Sequence, residues 1–327
     1  MIEPTTHKAE MHCGPRWDFF YIKGRFTVKL KKALTYEEQI DKLINVHNLS
    51  ISDKDQAVKI LKNVSYYRLS GYGIGLNKPD CKEQYKDGIT LDFIYRLYCF
   101  DSRLKNILMR FIEFIEIQFR SNIANFLALK YGPEGYMNSN NFILKTNKYN
   151  KNIHAELIYS FQEECKRQGN MPFVKHHNEK YNGHFPIWVA IELFTFGRLC
   201  SLYSIMHPED RDKIAKDYNT KSKHLSSWIL SLVEVRNICA HYCRLYNMPL
   251  KQSPFLYSEH QKYRTNKIFP TILAIKRILK NLPVQWINFY TELVAIFDEY
   301  QDVIYLSYIG FPFNWKEVLD QNISKSP

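Results

Sequence analysis

The sequence lacks the short motifs that mark common metal and nucleotide sites. It contains no C-x2-C pair, no H-E-x-x-H, no glycine-rich phosphate loop and no G-x-S-x-G elbow. These absences argue against zinc fingers, zinc proteases, P-loop enzymes and α/β-hydrolases. No tandem repeat is present either, which argues against a solenoid. We therefore expect no metal and no cofactor.

Long apolar runs are also missing. No stretch reaches the length of a membrane span, and the N-terminus has no apolar signal-peptide core. The seven cysteines are scattered and odd in number, so their spacing indicates neither a disulfide framework nor a zinc site. The expected location is a reducing cytoplasm, with no membrane partner.

Acidic residues are scarce relative to basic ones. The chain has 45 Lys and Arg against 33 Asp and Glu, so the excess is 45 − 33 = 12 positive charges. A surplus of that size favours a polyanionic partner, because phosphates attract it over long distances and counterion release adds affinity. Together with abundant tyrosine and phenylalanine, it points to a nucleic acid.

Strand patterns are nearly absent, and the predicted fold class is all-α. One short alternating segment at 26–30 could form a strand or an extended arm. Most other segments have helical periodicity, and two have capping signals: Thr35 with Glu38, and Ser52-Asp53. Helices are predicted at 36–47, 54–64, 91–129, 153–168, 187–206, 209–218, 267–281, 283–303 and 314–320, and in the segment that ends near His241.

This helical pattern gives a four-part organisation. Residues 1–33 form a basic and aromatic extension, and 34–89 form an N-terminal helical hairpin and its connection. The main helical bundle occupies 90–250, and 251–327 form a C-terminal helical extension.

The most informative stretch is Arg236-Asn237-Ile238-Cys239-Ala240-His241, at the end of a strongly apolar helical pattern. On a continuing helix Arg236 and His241 lie about 140° apart. Asn237, His241 and Arg244 would share one stripe at i, i+4 and i+7. The long stem of Arg236 can reach that stripe, so the segment predicts a compact cationic site with one titratable base.

These residue types suit RNA cleavage without a metal. The imidazole of His241 can take a proton from a 2′-hydroxyl or give one to the leaving 5′-oxygen. A guanidinium, from Arg236 and also from Arg244, can hold the phosphate and stabilise its developing charge. Asn237 can fix the geometry. The alternative is an ordinary helix end, where Arg and His complement the helix dipole.

A charged stripe interrupts the apolar pattern of the long predicted helix. It consists of Glu113, Glu116 and Arg120, and charges among bulky apolar residues need partners. One interpretation is an ordinary ion pair between Glu116 and Arg120. The other is that one of the glutamates orients Arg236 or His241.

Two further segments are candidates for RNA contact. Tyr66, Tyr67 and Arg68 can hold a base or a phosphate, or can instead pack the hairpin on the bundle. The N-terminal lysines Lys29, Lys31 and Lys32 can lie along an RNA backbone or belong to a solvated tail.

Several segments in one order resemble the Abi-like abortive-infection family of bacteria, the AbiD/AbiF group. They are LTYEEQIDKL, LKNVSYYRLSGY, PIWVAIELFTFGRLCSLY and RNICAHYCRLYN. The resemblance runs from about residue 34 to about residue 250. That family is assigned to the HEPN superfamily of helical bundles, whose Arg-polar-x3-His motif falls here on Arg236, Asn237 and His241.

The resemblance implies a metal-independent endoribonuclease used in phage defence. Its products would carry a 2′,3′-cyclic phosphate and a 5′-hydroxyl. Related HEPN ribonucleases act with two facing motifs, so a homodimer is expected. Members of the AbiF group are linked to a neighbouring noncoding RNA, which could bind and restrain the toxic nuclease.

Two other functions stay open on the sequence. The chain could be a non-catalytic protein that binds a structured RNA in a defence or toxin-antitoxin locus. It could also be an interaction protein of such a system without chemistry of its own.

Overall fold

A computed structural model describes residues 31–320. Within that range the regular secondary structure is helical and no β-strand occurs, so the predicted all-α fold class is confirmed. The segment at 26–30 and Lys29 lie outside the described residues. Between residues 31 and 320, no helix combines the length and the hydropathy that a bilayer crossing requires.

The α-helices follow in chain order, with short 3-10 turns between several of them. They are α1 (Tyr36–Asn45), α2 (Lys54–Asn63), α3 (Tyr66–Ser70), α4 (Leu91–Tyr131), α5 (Ile153–Arg167), α6 (Pro172–Lys180), α7 (Ile187–Ala190), α8 (Phe196–Ile205), α9 (Pro208–Lys216), α10 (Ser222–Ala240), α11 (Phe269–Ile278), α12 (Pro283–Glu299), α13 (Leu306–Ile309) and α14 (Trp315–Asp320).

The N-terminal helical hairpin forms as its capping signals predict. The Thr35 hydroxyl accepts a hydrogen bond from the N–H of Glu38, whose carboxylate accepts one from the N–H of Thr35. Asp53 caps α2 by accepting from the N–H of Gln56. Helices α1 and α2 pack on each other through buried residues such as Ile40 and Leu61.

The chain is divided into two compact units, each made of non-contiguous stretches. Among the described residues, the first unit comprises 31–103, Ile238–Asn247 and Tyr300–Ile304, and the second comprises Leu104–Asn237, Met248–Glu299 and 305–320. Each has its own apolar core. Fully buried side chains of the first include Tyr72, Phe100 and Tyr246; those of the second include Phe119, Trp228 and Phe289. The four sequence segments predicted as domains remain a prediction.

The helix predicted at 187–206 is broken in the structure. The α-helix α7 ends at Ala190, a 3-10 turn follows, and α8 begins after Thr195, whose hydroxyl accepts from the N–H of Arg198. At the break, the guanidinium of Arg120 donates hydrogen bonds to the carbonyls of Ile191 and Phe194. The Ile191 carbonyl also accepts a 3.1 Å bond from the N–H of Phe194. Arg120 thus adds a side-chain donor from a distant helix at the break, which the continuous apolar pattern could not indicate.

Helix α6 was not predicted. It carries the neighbouring histidines His176 and His177. His176 is exposed, whereas His177 is half-buried and its Nδ1 lies 3.0 Å from the carbonyl oxygen of His184. Pro172 begins this helix at a position where the missing N–H has no helical partner to lose.

Candidate functional site

Helix α10 ends inside the R-x4-H motif, one residue before His241. The N–H of Cys243 donates to the carbonyl of Ile238 at 2.9 Å, and the N–H of Tyr242 donates to that of Cys239 at 3.1 Å. Tyr242 has a φ of 56°, in the left-handed region. This pair of bonds around a left-handed residue is a Schellman motif, a common helix ending that normally uses glycine at this position.

This ending corrects the predicted stripe of Asn237, His241 and Arg244. The stripe required the helix to continue to Arg244, but α10 stops at Ala240. Arg244 lies beyond the turn, where its Nε is 3.7 Å from the position that a Cβ on Gly71 would occupy. Burial lowers the pKa of the Arg244 guanidinium, and the nearby Tyr72 and Asp101 oppose that shift. Arg244 therefore lies against the segment that follows α3.

Asp101 is the buried centre of this region, and it was not among the residues singled out from the sequence. Its side chain is 0% exposed. The carboxylate accepts hydrogen bonds from the Tyr72 hydroxyl at 2.7 Å, the Leu245 N–H at 3.1 Å and the Tyr246 N–H at 2.7 Å. Burial and the adjacent carboxylate raise the pKa of Tyr72 far above its usual value. Asp101 thus joins α4, the turn after α3 and the turn after the motif.

A signal for Asp101 was present in the sequence. Asp101 is spaced i+4 from Leu97 and i−3 from Leu104, so it falls on the apolar face of the long helix. A carboxylate on such a face needs buried donors.

In the second unit, Arg236 faces a carboxylate that is itself held in place. Its Nε lies 3.9 Å from Oε2 of Glu116, and the other oxygen of Glu116 accepts a 2.7 Å bond from Arg120. Arg120 is buried and also bonds the two carbonyls at the break between α7 and α8. Of the two predicted glutamates, the structure brings Glu116 to Arg236, whereas Glu113 is exposed. Glu116 thus contacts both Arg120 and Arg236, and its role in orienting Arg236 stays a prediction.

The other two motif residues differ in exposure. The side chain of Asn237 is half-buried, and none of the hydrogen bonds described for residues 31–320 involves it. His241 is exposed, so its imidazole is accessible to a ligand from solvent. Among the described residues, no group of three or more His, Cys, Asp or Glu side chains is arranged to hold a metal ion.

A family model described as "Abi-like protein" matches residues 59–247. The chain belongs to the Abi-like protein family. The match includes α3, Asp101, the stripe at Glu116 and Arg120, and the whole R-x4-H motif, but the segment from 34 to 58 with α1 lies outside it. No curated protein and no solved structure matches the chain.

In this Abi-like chain, the predicted RNA-contact residues fall into two groups. Tyr66 is half-buried, and burial raises the pKa of its hydroxyl. Tyr67 is 76% exposed, and Arg68 is exposed while one guanidinium N–H donates to the Tyr242 carbonyl at 2.6 Å. Lys31 and Lys32 are exposed. Tyr67 and Arg68 therefore have the accessibility that an RNA contact needs, whereas Tyr66 is a packing residue.

Proposed function

We propose that this Abi-like protein is a metal-independent endoribonuclease of the HEPN type, the effector of an abortive-infection defence against phage. Membership of the Abi-like family associates the chain with abortive infection. The observation that carries the proposal beyond the family is the exposed imidazole of His241 in the family motif. An exposed imidazole can reach a substrate, whereas a histidine buried in the core cannot.

The proposed reaction is transesterification within RNA. His241 takes the proton of the ribose 2′-hydroxyl, and the 2′-oxygen attacks the adjacent phosphorus. The bond from phosphorus to the 5′-oxygen breaks, and a protonated imidazole gives that oxygen its proton. The products are a 2′,3′-cyclic phosphate and a 5′-hydroxyl, and no redox step or added reactant is needed.

Arg236 would hold the non-bridging phosphate oxygens and stabilise the charge that they gain. The contact with Glu116 supports this role, because a carboxylate fixed by Arg120 restrains the direction of the guanidinium. Asn237 would fix the local geometry.

One chain carries one R-x4-H motif, whereas the reaction uses one imidazole as base and one as acid. We therefore propose a homodimer in which Arg236 and His241 of both protomers line one cleft. Light scattering on the active protein measures its molar mass and so tests whether it is a dimer. A monomer that still cuts RNA would require a mechanism with one motif.

RNA is also the proposed regulator. A structured noncoding RNA, attracted by the net charge of +12, would bind and restrain the nuclease until infection. Sequencing the RNA that copurifies with the protein tests this point, and the expected result is one dominant structured species.

The decisive experiment compares wild type with His241→Ala on single-stranded RNA. Loss of the base or acid should lower the cleavage rate by about 10²–10⁴-fold. His176→Ala is the control, since it removes another exposed histidine that lies outside the R-x4-H motif. Cleavage should persist in EDTA, and the products should carry cyclic phosphate ends. Activity abolished by chelation and restored by a divalent metal would overturn the metal-free scheme.

The second candidate is a non-catalytic protein that binds structured RNA. It is favoured by the exposed Arg68 and Tyr67 together with the net charge of +12. Expression in bacteria distinguishes the candidates: equal growth inhibition by wild type and His241→Ala would favour binding without cleavage. A protein that neither binds nor cuts RNA would be an interaction protein of the defence system.

A further inference from the structure

The residue after His241 is an exposed aromatic side chain. Tyr242 is 73% exposed, and within residues 31–320 no ring stacking, ion pair or side-chain hydrogen bond is described for its phenol. Packing therefore gives little reason for a large aromatic residue at this position.

The backbone makes the choice of tyrosine more unusual. Tyr242 is in the left-handed conformation, which is unfavourable for residues that carry a Cβ and is adopted most readily by glycine and asparagine. Every other non-glycine residue with positive φ in the described part of the chain is an asparagine: Asn48, Asn150, Asn182, Asn219 and Asn247. An unfavourable backbone conformation with a non-optimal residue type is a feature that clusters at functional sites.

The surroundings of Tyr242 suit a nucleotide. Arg68 donates a 2.6 Å hydrogen bond to the Tyr242 carbonyl, which fixes the backbone that carries the ring. Arg68 is itself exposed, and its remaining guanidinium N–H groups can meet a phosphate. Tyr67, the neighbour of Arg68 in α3, is a second exposed tyrosine in the same unit.

We propose that Tyr242 stacks on a base of single-stranded RNA, the base next to the phosphate at which His241 acts. Consecutive residues lie about 3.8 Å apart along the backbone, so a base on Tyr242 and a phosphate at His241 can belong to the same or the next nucleotide. Stacking recognises an unpaired base by its face, so the site would select single-stranded over duplex RNA. This inference rests on the proposed function only for the identity of the phosphate; the stacking itself requires no cleavage.

The test uses Tyr242→Gly, a variant whose stability and binding should change in opposite directions. Glycine relieves the left-handed conformation, so the melting temperature should rise by about 2 °C. Removal of the ring should weaken binding to single-stranded RNA by about tenfold. Tyr242→Phe keeps the ring and should bind as wild type does. Tyr159→Ala, which removes an exposed tyrosine on α5, is the control for non-specific loss of aromatic surface.

Binding is measured in a His241→Ala background, so that no probe is cut. The probes are a single-stranded RNA containing 2-aminopurine, whose fluorescence is quenched by stacking, and a fully paired duplex of the same length. The expected result is quenching with Tyr or Phe at 242, loss of quenching with Gly, and duplex binding that is the same in all variants. Unchanged affinity and quenching in Tyr242→Gly would overturn the inference.

The two proposals can fail separately. If wild type never cuts RNA but quenching still depends on the ring at 242, the stacking inference holds and the nuclease proposal fails. If cleavage depends on His241 while Tyr242→Gly binds and cuts normally, the nuclease proposal holds and the stacking inference fails.

Discussion

Asp101 accepts a 2.7 Å hydrogen bond from the backbone N–H of Tyr246, which ties α4 to the turn after the R-x4-H motif. The same carboxylate holds the Tyr72 hydroxyl in the turn after α3. Tyr72 and Tyr246 belong to two segments of the family resemblance that lie near opposite ends of the family match. These two segments thus meet at one buried carboxylate.

Replacing this carboxylate with an amide should destabilise the first unit. In Asp101→Asn, an amide group that donates replaces an oxygen that accepts, and it faces N–H and O–H donors. We expect the free energy of unfolding to fall by about 2–3 kcal/mol. Urea denaturation followed by circular dichroism measures the change. Asp80→Asn alters an exposed carboxylate of the same unit and should change stability by less than about 0.5 kcal/mol; equal effects of the two substitutions would contradict the role assigned to Asp101.

The two contacts of Glu116 should differ in strength. Glu116 and Arg120 are mostly buried and 2.7 Å apart, whereas Arg236 is 37% exposed and 3.9 Å away. Double-mutant cycles with Glu116→Gln should give a coupling of about 1–3 kcal/mol with Arg120→Met and below about 1 kcal/mol with Arg236→Met. Unfolding free energies of the single and double variants provide both values.

A larger coupling of Glu116 to Arg236 than to Arg120 would show that Arg120 is not the residue that holds Glu116 in place. Arg120→Met alone should cost about 3–5 kcal/mol, because it leaves the Glu116 carboxylate buried without its partner. In Arg236→Met the Glu116 carboxylate keeps its bond to Arg120. The effect of this substitution on stability should therefore be small, while the cleavage rate falls.

His224 should make the second unit less stable in mild acid. Its ring stacks on Tyr257 with centroids 4.5 Å apart, and burial, then the charges of Lys221 and Lys223, lowers its pKa. Because the folded-state pKa lies below the unfolded value of about 6.5, the stabilisation is present above that pH and is lost as pH falls below it.

Wild type should therefore lose more unfolding free energy than His224→Phe between about pH 6.5 and pH 5. His176→Phe, which replaces an exposed histidine, should follow wild type. If the unfolding free energies of wild type and His224→Phe fell equally with pH, a group other than His224 would cause the loss of stability in acid.

The capping box of α1 offers a local test of the N-terminal hairpin. Thr35→Ala removes the hydroxyl that accepts from the N–H of Glu38, and we expect a loss of about 1 kcal/mol. Ser52→Ala is the control, because Asp53 rather than Ser52 caps α2. If thermal denaturation gave the two variants the same melting temperature, the Thr35 cap would not contribute to stability.

The sequence predicted the features that depend on local chemistry. Thr35 and Glu38 placed the start of α1, the apolar periodicity placed α4, and the R-x4-H segment placed the candidate site at the end of a helix. Each of these signals acts within a few residues of the structure that it specifies, so it can be read without knowing the tertiary fold.

Two of the features that the sequence did not predict depend on distant partners, and a third lacks its usual local signal. The break before Thr195 involves Arg120, which lies far away in the chain, and the continuous apolar pattern therefore suggested one helix. The end of α10 uses Tyr242 in a conformation where glycine or asparagine would have been the recognisable signal. Asp101 was visible as a charge on an apolar face, but its donors come from Tyr72, Leu245 and Tyr246.

The break between α7 and α8 has a consequence for how this protein can vary. Its two carbonyls hold Arg120, Arg120 holds Glu116, and Glu116 faces Arg236. Inserting or deleting a residue near Phe194 would redirect the motif arginine without altering any residue of the motif. Variants with an intact R-x4-H sequence could thus differ in activity through a change made more than thirty positions upstream.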